Sequence, residues 1–185
     1  MKELKDYIFV VPSVVPLELC DAVLSEYKNC NVWINATVKS GENLNIRNCQ
    51  TIGISFNSVI EKNKETRQKI DQELFTCAAK AIQEYNKQFI CCNIEQDSGY
   101  DLLKYEVGGF YTTHTDSFKD RPRAVSCSFV LNDDYEGGEF AFFNRELVYK
   151  LKKGSCIMFP SNFMYPHEIM PVTSGTRYSI VTWFV

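Results

Sequence analysis

Histidine is scarce in this chain of 185 residues, which contains only two, His114 and His167. A basic excess is also missing, because 20 Lys and Arg stand against 23 Asp and Glu and give a formal net charge of −3. We therefore do not expect a nucleic acid partner bound through its phosphates. No apolar run reaches membrane-spanning length. The apolar stretch near the start is broken by Pro12 and Pro16 and has no small-residue cleavage site, so neither a signal peptide nor a membrane partner is expected.

The eight cysteines show no metal-binding pattern. No two of them form a CxxC pair, so we predict reduced thiols in a cytoplasmic protein, most of them acting as small buried apolar side chains. A zinc or iron–sulfur site is the alternative, but the ligand spacing that it requires is absent. The cysteines are Cys20, Cys30, Cys49, Cys77, Cys91, Cys92, Cys127 and Cys156.

A hydrophobic content of 45% predicts a folded chain, which we interpret as one domain over residues 1–185. Apolar residues at helical spacing predict helices over 16–30 and 65–87, with an extended segment over 32–56. After about residue 99, β-rich segments follow one another with turn signals between them. We predict a helical lead-in (about 1–95) that covers one face of a β-rich core (about 96–185), folded as an antiparallel double-sheet roll. The eight segments are YDLLKYE, FYTTHTD, AVSCSFVLN, EFAFF, LVYKL, SCIMFP, YPHEIMP and TRYSIVTWFV.

The segment FYTTHTD places His114 two residues before Asp116. Residues two apart on a strand point to the same side, so one nitrogen and one oxygen ligand are presented together. His167, in the segment MYPHEIMP, can supply a third ligand from another strand. Two imidazoles and one carboxylate are the triad of non-haem Fe(II) oxygenases, which leaves the opposite face of the metal open. The alternative is that each histidine is an ordinary core or surface residue.

Arg177 lies in the apolar, β-branched segment TRYSIVTWFV, ten residues after His167. Burying an arginine is costly without an anion. Its planar guanidinium can bind a carboxylate at two points. A dicarboxylate such as 2-oxoglutarate could contact the metal at one end and Arg177 at the other. The alternative is a structural ion pair with a core carboxylate.

Three stretches together resemble the Fe(II)- and 2-oxoglutarate-dependent dioxygenases: LLKYEVGGFYTTHTDS, RAVSCSFVLNDDYEGGEFAFF and IMFPSNFMYPHEIMPVTSGTRYSIVTWF. They look most like the prolyl hydroxylases, both the collagen-type prolyl 4-hydroxylases and the oxygen-sensing type. The resemblance covers roughly residues 100–185. It implies a mainly β fold, the double-stranded β-helix or jelly roll, with helices packed on one face. It also implies hydroxylation of a prolyl residue in a peptide or protein, with release of succinate and CO₂.

The resemblance also implies roles for individual residues. Fe(II) would be held by His114, Asp116 and His167, and Arg177 would hold the distal carboxylate of 2-oxoglutarate. Tyr105 matches a tyrosine that hydrogen-bonds this co-substrate, although a plain core role is the alternative. O₂ would be the second co-substrate, and ascorbate a possible reductant.

The chain departs from both prolyl hydroxylase types. Collagen-type enzymes usually carry lysine where this chain has Arg177, whereas the oxygen-sensing type carries a second co-substrate tyrosine where this chain has Val130. The EGGE stretch looks more like the collagen type, and Gly137-Gly138 within it predicts a turn or a bulge. A free amino acid or another small metabolite therefore remains an alternative substrate, and a non-catalytic metal- or 2-oxoglutarate-binding module remains an alternative function.

Substrate contacts are expected from the mouth of the roll. Arg123 stands where prolyl hydroxylases place an arginine that reaches the substrate, and its alternative is a solvated surface charge. Tyr111, Trp33 and Tyr165 could each flank a peptide or belong to the core. The charged loop SFKDRPR, residues 117–123, is predicted to help admit the substrate.

Overall fold

The computed structural model describes residues 2–55, 63–89, 94, 96–120 and 122–185. Two of the cysteines considered above, Cys91 and Cys92, lie outside these residues. The other six are free thiols, and five of them are buried, as the sequence predicts.

The described part of the chain contains two α-helices, sixteen short strands and a 3-10 turn over Leu4–Tyr7. The helices are α1 (Leu17–Tyr27) and α2 (Lys64–Gln88). The strands are β1 (Phe9–Val11), β2 (Ile34–Asn35), β3 (Thr37–Val38), β4 (Gly41–Glu42), β5 (Arg47–Asn48), β6 (Gln50–Gly53), β7 (Asp101–Tyr105), β8 (Phe110–His114), β9 (Val125–Val130), β10 (Glu136–Gly137), β11 (Phe140–Phe142), β12 (Leu147–Tyr149), β13 (Cys156–Pro160), β14 (His167–Ile169), β15 (Val172–Ser174) and β16 (Arg177–Phe184).

Two larger antiparallel sheets form the roll. The major sheet has the order β1-β13-β9-β16-β7-β6-β2, and the minor sheet has the order β12-β11-β14-β8-β5. Two further strand pairs, β3-β4 and β10-β15, form separate two-stranded sheets. Each of the eight β-rich segments contains one strand, so the predicted jelly-roll fold is confirmed.

Both helices pack against the outer face of the major sheet. The predicted stripe on α2 is buried, because Ile70, Leu74 and Ala78 share a core cluster with Leu102 and Ile180 of the sheet. The inner face of the same sheet packs against the minor sheet in a second cluster. Strand alternation separates the two faces, so one set of side chains holds the helices while the other set faces the interior of the roll. Neither described helix is long and apolar enough to cross a membrane.

The lead-in is less purely helical than the sequence analysis predicts. β1 lies at one edge of the major sheet against β13. β5 pairs with β8 of the minor sheet, and the next strand, β6, pairs with β7 of the major sheet. The first part of the chain therefore contributes strands to both sheets, and periodicity did not reveal β1 because Pro12 ends it after three residues.

Candidate metal centre and co-substrate cavity

Strand pairing brings the two histidines together. β14 is antiparallel to β8, and its register sets His167 directly opposite His114. Just after β8, the Asp116 N–H donates to the carbonyl of Ser161 at 3.2 Å, which turns the carboxylate toward both rings. One ligand atom from each of His114, Asp116 and His167 lies within 4.8 Å of the others.

The ring orientations leave one nitrogen of each histidine facing Asp116. The Nδ1 of His114 donates to the Thr112 carbonyl at 2.8 Å, and the Nδ1 of His167 donates to the Tyr165 carbonyl at 3.1 Å. A carbonyl can only accept, so the proton sits on Nδ1 and the Nε2 lone pair is available. The His114 Nε2 lies 3.4 Å from Oδ1 of Asp116, and the His167 Nε2 lies 3.7 Å from Oδ2. Both imidazoles are thus fixed in the tautomer that binds a metal through Nε2.

The electrostatics keep His167 and Asp116 in the protonation state of metal ligands. Burial lowers the pKa of His167 to about 4, against a smaller opposing effect of Asp116. Burial alone would raise the pKa of Asp116, but His167, His114 and the Ser126 hydroxyl together hold it below its usual value. At neutral pH the ring is neutral and the carboxyl is ionised, which is the state that coordinates a divalent cation.

Ser126 orients the carboxylate from the major sheet. Its hydroxyl donates to Oδ2 of Asp116 at 2.7 Å and lies 2.8 Å from the Ser161 hydroxyl. Contacts of this kind hold a metal ligand in position and tune its basicity.

Replacing Ser126 with alanine should therefore weaken metal binding by about 10-fold to 100-fold, since the Asp116 carboxylate would lose its support. Calorimetric titration with Mn²⁺ measures this change. Ser128→Ala is the matched control, because Ser128 lies on the same face of β9 and its hydroxyl makes no hydrogen bond within the described chain. Equal metal affinity in Ser126→Ala and wild type would show that the hydroxyl does not support the ligand.

A cavity of about 500 Å³ opens beside the three residues and runs between the two sheets. Arg177 lies in its wall and is only 2% exposed. Its Nη1 donates to the Ser179 hydroxyl at 2.7 Å, and its guanidinium carbon lies 5.2 Å from the centre of the Tyr105 ring. The Nε has no partner, and no carboxylate of the described residues pairs with this arginine. The structural ion pair considered as an alternative is therefore not found in the described part of the chain.

The two glycines of EGGE allow the backbone to pack closely against its neighbours, and at Gly138 this neighbour is the Arg177 side chain. A Cβ at Gly138 would lie 2.9 Å from the Arg177 Cδ, and one at Gly137 would lie 2.2 Å from the Pro171 carbonyl oxygen. Both glycines have positive φ, and the pairing of β10 with β15 shifts register at this point. The predicted bulge is present, and the missing side chain at Gly138 makes room for the arginine.

A family model described as the 2OG-Fe(II) oxygenase superfamily matches residues 100–185, the stretch that contains all three triad residues and Arg177. The match covers 86 of the 185 residues, the β-rich part of the chain. The resemblance noted in the sequence is confirmed.

Part of the chain is also similar to PKHD-type hydroxylases. One from Synechococcus sp. (strain JA-2-3B'a(2-13)) is 38% identical over 89 residues, which make up 43% of this chain and 39% of the relative. Another from Idiomarina loihiensis is 31% identical over 88 residues, or 44% of this chain and 39% of the relative. The chain thus matches about two fifths of the length of these proteins.

Solved structures share the fold over nearly the whole chain. A prolyl hydroxylase from Trichoplax adhaerens, in complex with a peptide of the hypoxia inducible factor oxygen degradation domain, has a TM-score of 0.76 at 20% identity, covering 97% of this chain and 83% of that one. A prolyl-4-hydroxylase from Pseudomonas putida has a TM-score of 0.73 at 21% identity, covering 96% of this chain and 92% of that one. At these identities the likeness establishes the fold.

The cavity between the sheets contains most of the residues singled out from the sequence. Tyr105 and Tyr111 both line it. Tyr111 stacks on the His114 ring, with centroids 3.5 Å apart. Burial raises the pKa of the Tyr105 hydroxyl, which keeps it neutral. Val130, at the position noted as a departure, is buried in the core between the sheets.

Arg123 lies in the cavity wall and is engaged on two sides. Its Nη1 donates to the Asp116 carbonyl at 3.1 Å, and its guanidinium carbon lies 3.4 Å from the centre of the Trp183 ring. It is therefore not an isolated surface charge. Phe118 and Asp120 of the loop 117–123 also line the cavity, while Arg121 lies outside the described residues. The role of this loop in substrate entry stays a prediction.

Two aromatic residues considered as peptide contacts lie elsewhere. Trp33 packs against the core cluster between the helices and the major sheet, and its indole N–H donates to the Tyr27 carbonyl at 3.2 Å. Tyr165 is buried in the inner core, where its carbonyl orients His167. Neither lines the cavity, so the core interpretation holds for both.

The cavity-lining residues that sequence reasoning missed include Arg47, Asp101, Ser126 and Trp183. Alternation could have revealed two of them, because Trp183 lies six residues after Arg177 on β16 and Asp101 lies four residues before Tyr105 on β7. Arg47 carried no such signal, since the short strand β5 cannot be recognised by period.

Proposed function

We propose that this chain is an Fe(II)- and 2-oxoglutarate-dependent dioxygenase that hydroxylates a prolyl residue in a peptide or protein. Residues 1–185 would act as one domain, since the lead-in contributes strands to both sheets. The observation that carries the proposal is the single cavity that contains three potential metal ligands and a buried arginine without an anion.

The residues present fit the implied groups. Two Nε2 atoms and one carboxylate are the donor set that a non-haem Fe(II) site uses. No further His, Cys, Asp or Glu completes this cluster within the described ranges, which is consistent with a site that keeps open positions. The unpartnered Nε of Arg177 fits the far carboxylate of 2-oxoglutarate, because a planar guanidinium binds a carboxylate through two N–H groups.

Each side chain then has a defined task. His114, Asp116 and His167 would hold Fe(II), while Ser126 keeps the carboxylate aimed. Arg177 would bind the co-substrate, with the Tyr105 hydroxyl beside it. When bound, iron and 2-oxoglutarate supply an O₂-dependent oxidation that yields succinate, CO₂ and a hydroxylated carbon. The chain supplies position and shelter, since the Phe140 and Phe159 rings close the wall around His167.

A peptide substrate is supported by the mouth of the cavity. Tyr111 stacks on a proposed metal ligand, and Arg123 is held by the Asp116 carbonyl, so a substrate that contacts either would lie beside the metal. The Trichoplax adhaerens structure, which shares this fold, contains a bound peptide. We further propose ascorbate as a reductant for the iron. We also propose the cytoplasm as the location, because the six described cysteines are all free thiols.

Succinate formation tests the function directly. The purified chain is supplied with Fe(II), 2-oxoglutarate and ascorbate, together with Pro-containing peptides or free amino acids. We expect succinate and hydroxylated product in equal amounts with at least one peptide. Turnover with free proline alone would favour the metabolite alternative. Binding of 2-oxoglutarate without turnover of any substrate would favour the non-catalytic module.

A further inference from the structure

Asp101 is an acidic residue in the cavity wall that neither the metal nor the co-substrate accounts for. It begins β7, and Asp101, Leu103 and Tyr105 alternate along the same inner face. The register pairs Asp101 with Val181 and Tyr105 with Arg177. Asp101 therefore lies away from the co-substrate arginine, at the level of Ser128, and Trp183 pairs with Ser126 two residues further along the sheet. Ser126 contacts Asp116, so Asp101 lies one inward-facing position along the sheet from the residue that supports this proposed metal ligand.

The Asp101 carboxylate has no partner among the described residues. Burial raises its pKa, and the two guanidinium groups that oppose this effect, those of Arg47 and Arg123, act on it only through their charge. Both arginines are held by other groups. Arg47 donates to the Thr37 carbonyl at 3.0 Å and lies 4.7 Å from the centre of the Tyr111 ring, while Arg123 is held by the Asp116 carbonyl and Trp183.

Space beside the carboxylate is open. Gly53 of β6 is its partner on the neighbouring strand. A Cβ at Gly53 would meet only the Oδ1 of Asp101, at 3.6 Å, and no other atom within contact range. No side chain therefore covers Asp101 from that strand, and the carboxylate stays accessible from the cavity.

A partly buried carboxylate without a partner is costly, and a cation that reaches it removes that cost. We propose that Asp101 selects a substrate that presents a cationic nitrogen close to the hydroxylated carbon. This inference rests on the proposed oxygenase function and adds a charge requirement to its substrate, whether that is the proposed peptide or the alternative free amino acid. The nitrogen can come from a Lys or Arg side chain next to the proline in a peptide, or from the ring amine of an unacylated proline.

Equilibrium binding separates these sources without depending on turnover. Peptides with blocked termini, in which Lys, Gln or Glu flanks proline, are titrated calorimetrically into protein loaded with Zn²⁺ and 2-oxoglutarate. L-Proline and N-acetyl-L-proline form a second pair that differs in the ring amine. We expect about 10-fold tighter binding of the cationic member in at least one series.

Three variants test whether Asp101 causes the preference. Asp101→Asn should abolish it, and Asp101→Lys should reverse it in favour of the Glu peptide. Gly53→Ala keeps the charge of Asp101 but places a methyl group beside its carboxylate. It should therefore weaken binding of the cationic ligand of each pair more than binding of the neutral ligand. Asp133→Asn is the control, because it removes the same charge from an exposed site outside the cavity.

Equal binding of all peptides and of both prolines by wild type would overturn the inference. So would an unchanged preference in Asp101→Asn, or equal weakening of every peptide by this variant. Succinate assays on the same peptides keep the two proposals apart. Turnover without a charge preference would leave the oxygenase function intact and remove the role of Asp101. A charge preference in binding without any 2-oxoglutarate turnover would support the role of Asp101 and count against the oxygenase function.

Discussion

His114→Ala should abolish iron-dependent formation of succinate and weaken metal binding by more than about 100-fold. The expected loss of metal affinity follows from the number of ligands. Changing a residue that only orients a ligand costs about 10-fold to 100-fold in metal affinity, so loss of a ligand itself must cost at least as much. Two ligands would remain, the His167 imidazole and the Asp116 carboxylate. Neither can move to occupy the position that the His114 ring leaves empty. Titration with Mn²⁺ and a succinate assay with Fe(II) give the two measurements.

The fold should survive this substitution. His114 lies at the end of β8, with its side chain 15% exposed, and its main packing contact is the Tyr111 ring. Thr113→Ala is the matched control, since Thr113 is the exposed neighbour on the same strand and faces away from the triad. Circular dichroism and thermal melting should be alike for both variants. Metal binding by folded His114→Ala that equals that of the control would remove His114 from the site.

Much of the roll could be predicted because local pattern and tertiary position agree there. In β16, the alternation of Arg177, Ser179 and Val181 with Tyr178 and Ile180 is the alternation of cavity face and helix face. The stripe on α2 likewise gave both its helical state and its buried side. Where an element is long enough to show its period, the sequence is sufficient.

The rest depends on contacts that no local pattern encodes. β5 has two residues, and it is a strand because β8 lies beside it. The support of Asp116 by Ser126 joins residues of different sheets, and serine has no spacing that marks such a role. The three triad residues were found because the chain has only two histidines and because the resemblance named them. The tautomers of the two histidines could not be predicted, because they are set by hydrogen bonds to the Thr112 and Tyr165 carbonyls in the folded chain.

Arg177→Met should separate co-substrate binding from folding. The variant removes a buried charge that has no anion in the described chain and keeps a side chain of similar length between Tyr105 and Phe140. Replacing a buried charge with an apolar group is often neutral or stabilising, so the free energy of unfolding without ligand should stay the same or rise. Metal binding should be unaffected, since the arginine does not contact the triad.

The affinity for 2-oxoglutarate should fall by about 30-fold or more, because losing a charged partner of a carboxylate costs about 2 kcal/mol or more. Thermal melting shows this loss most clearly. At about 100 times its dissociation constant, 2-oxoglutarate should stabilise the metal-loaded wild type by about 2.7 kcal/mol, and most of this gain should disappear in Arg177→Met.

Arg177→Lys should recover part of the stabilisation by 2-oxoglutarate, since an ammonium retains the charge but not the two-point geometry. Lys152→Met controls for the change in net charge at an exposed position. If Arg177→Met were less stable than wild type without ligand, and its 2-oxoglutarate affinity were unchanged in the folded, metal-loaded protein, the arginine would be structural. The anion that its unpartnered Nε requires would then have to come from another source.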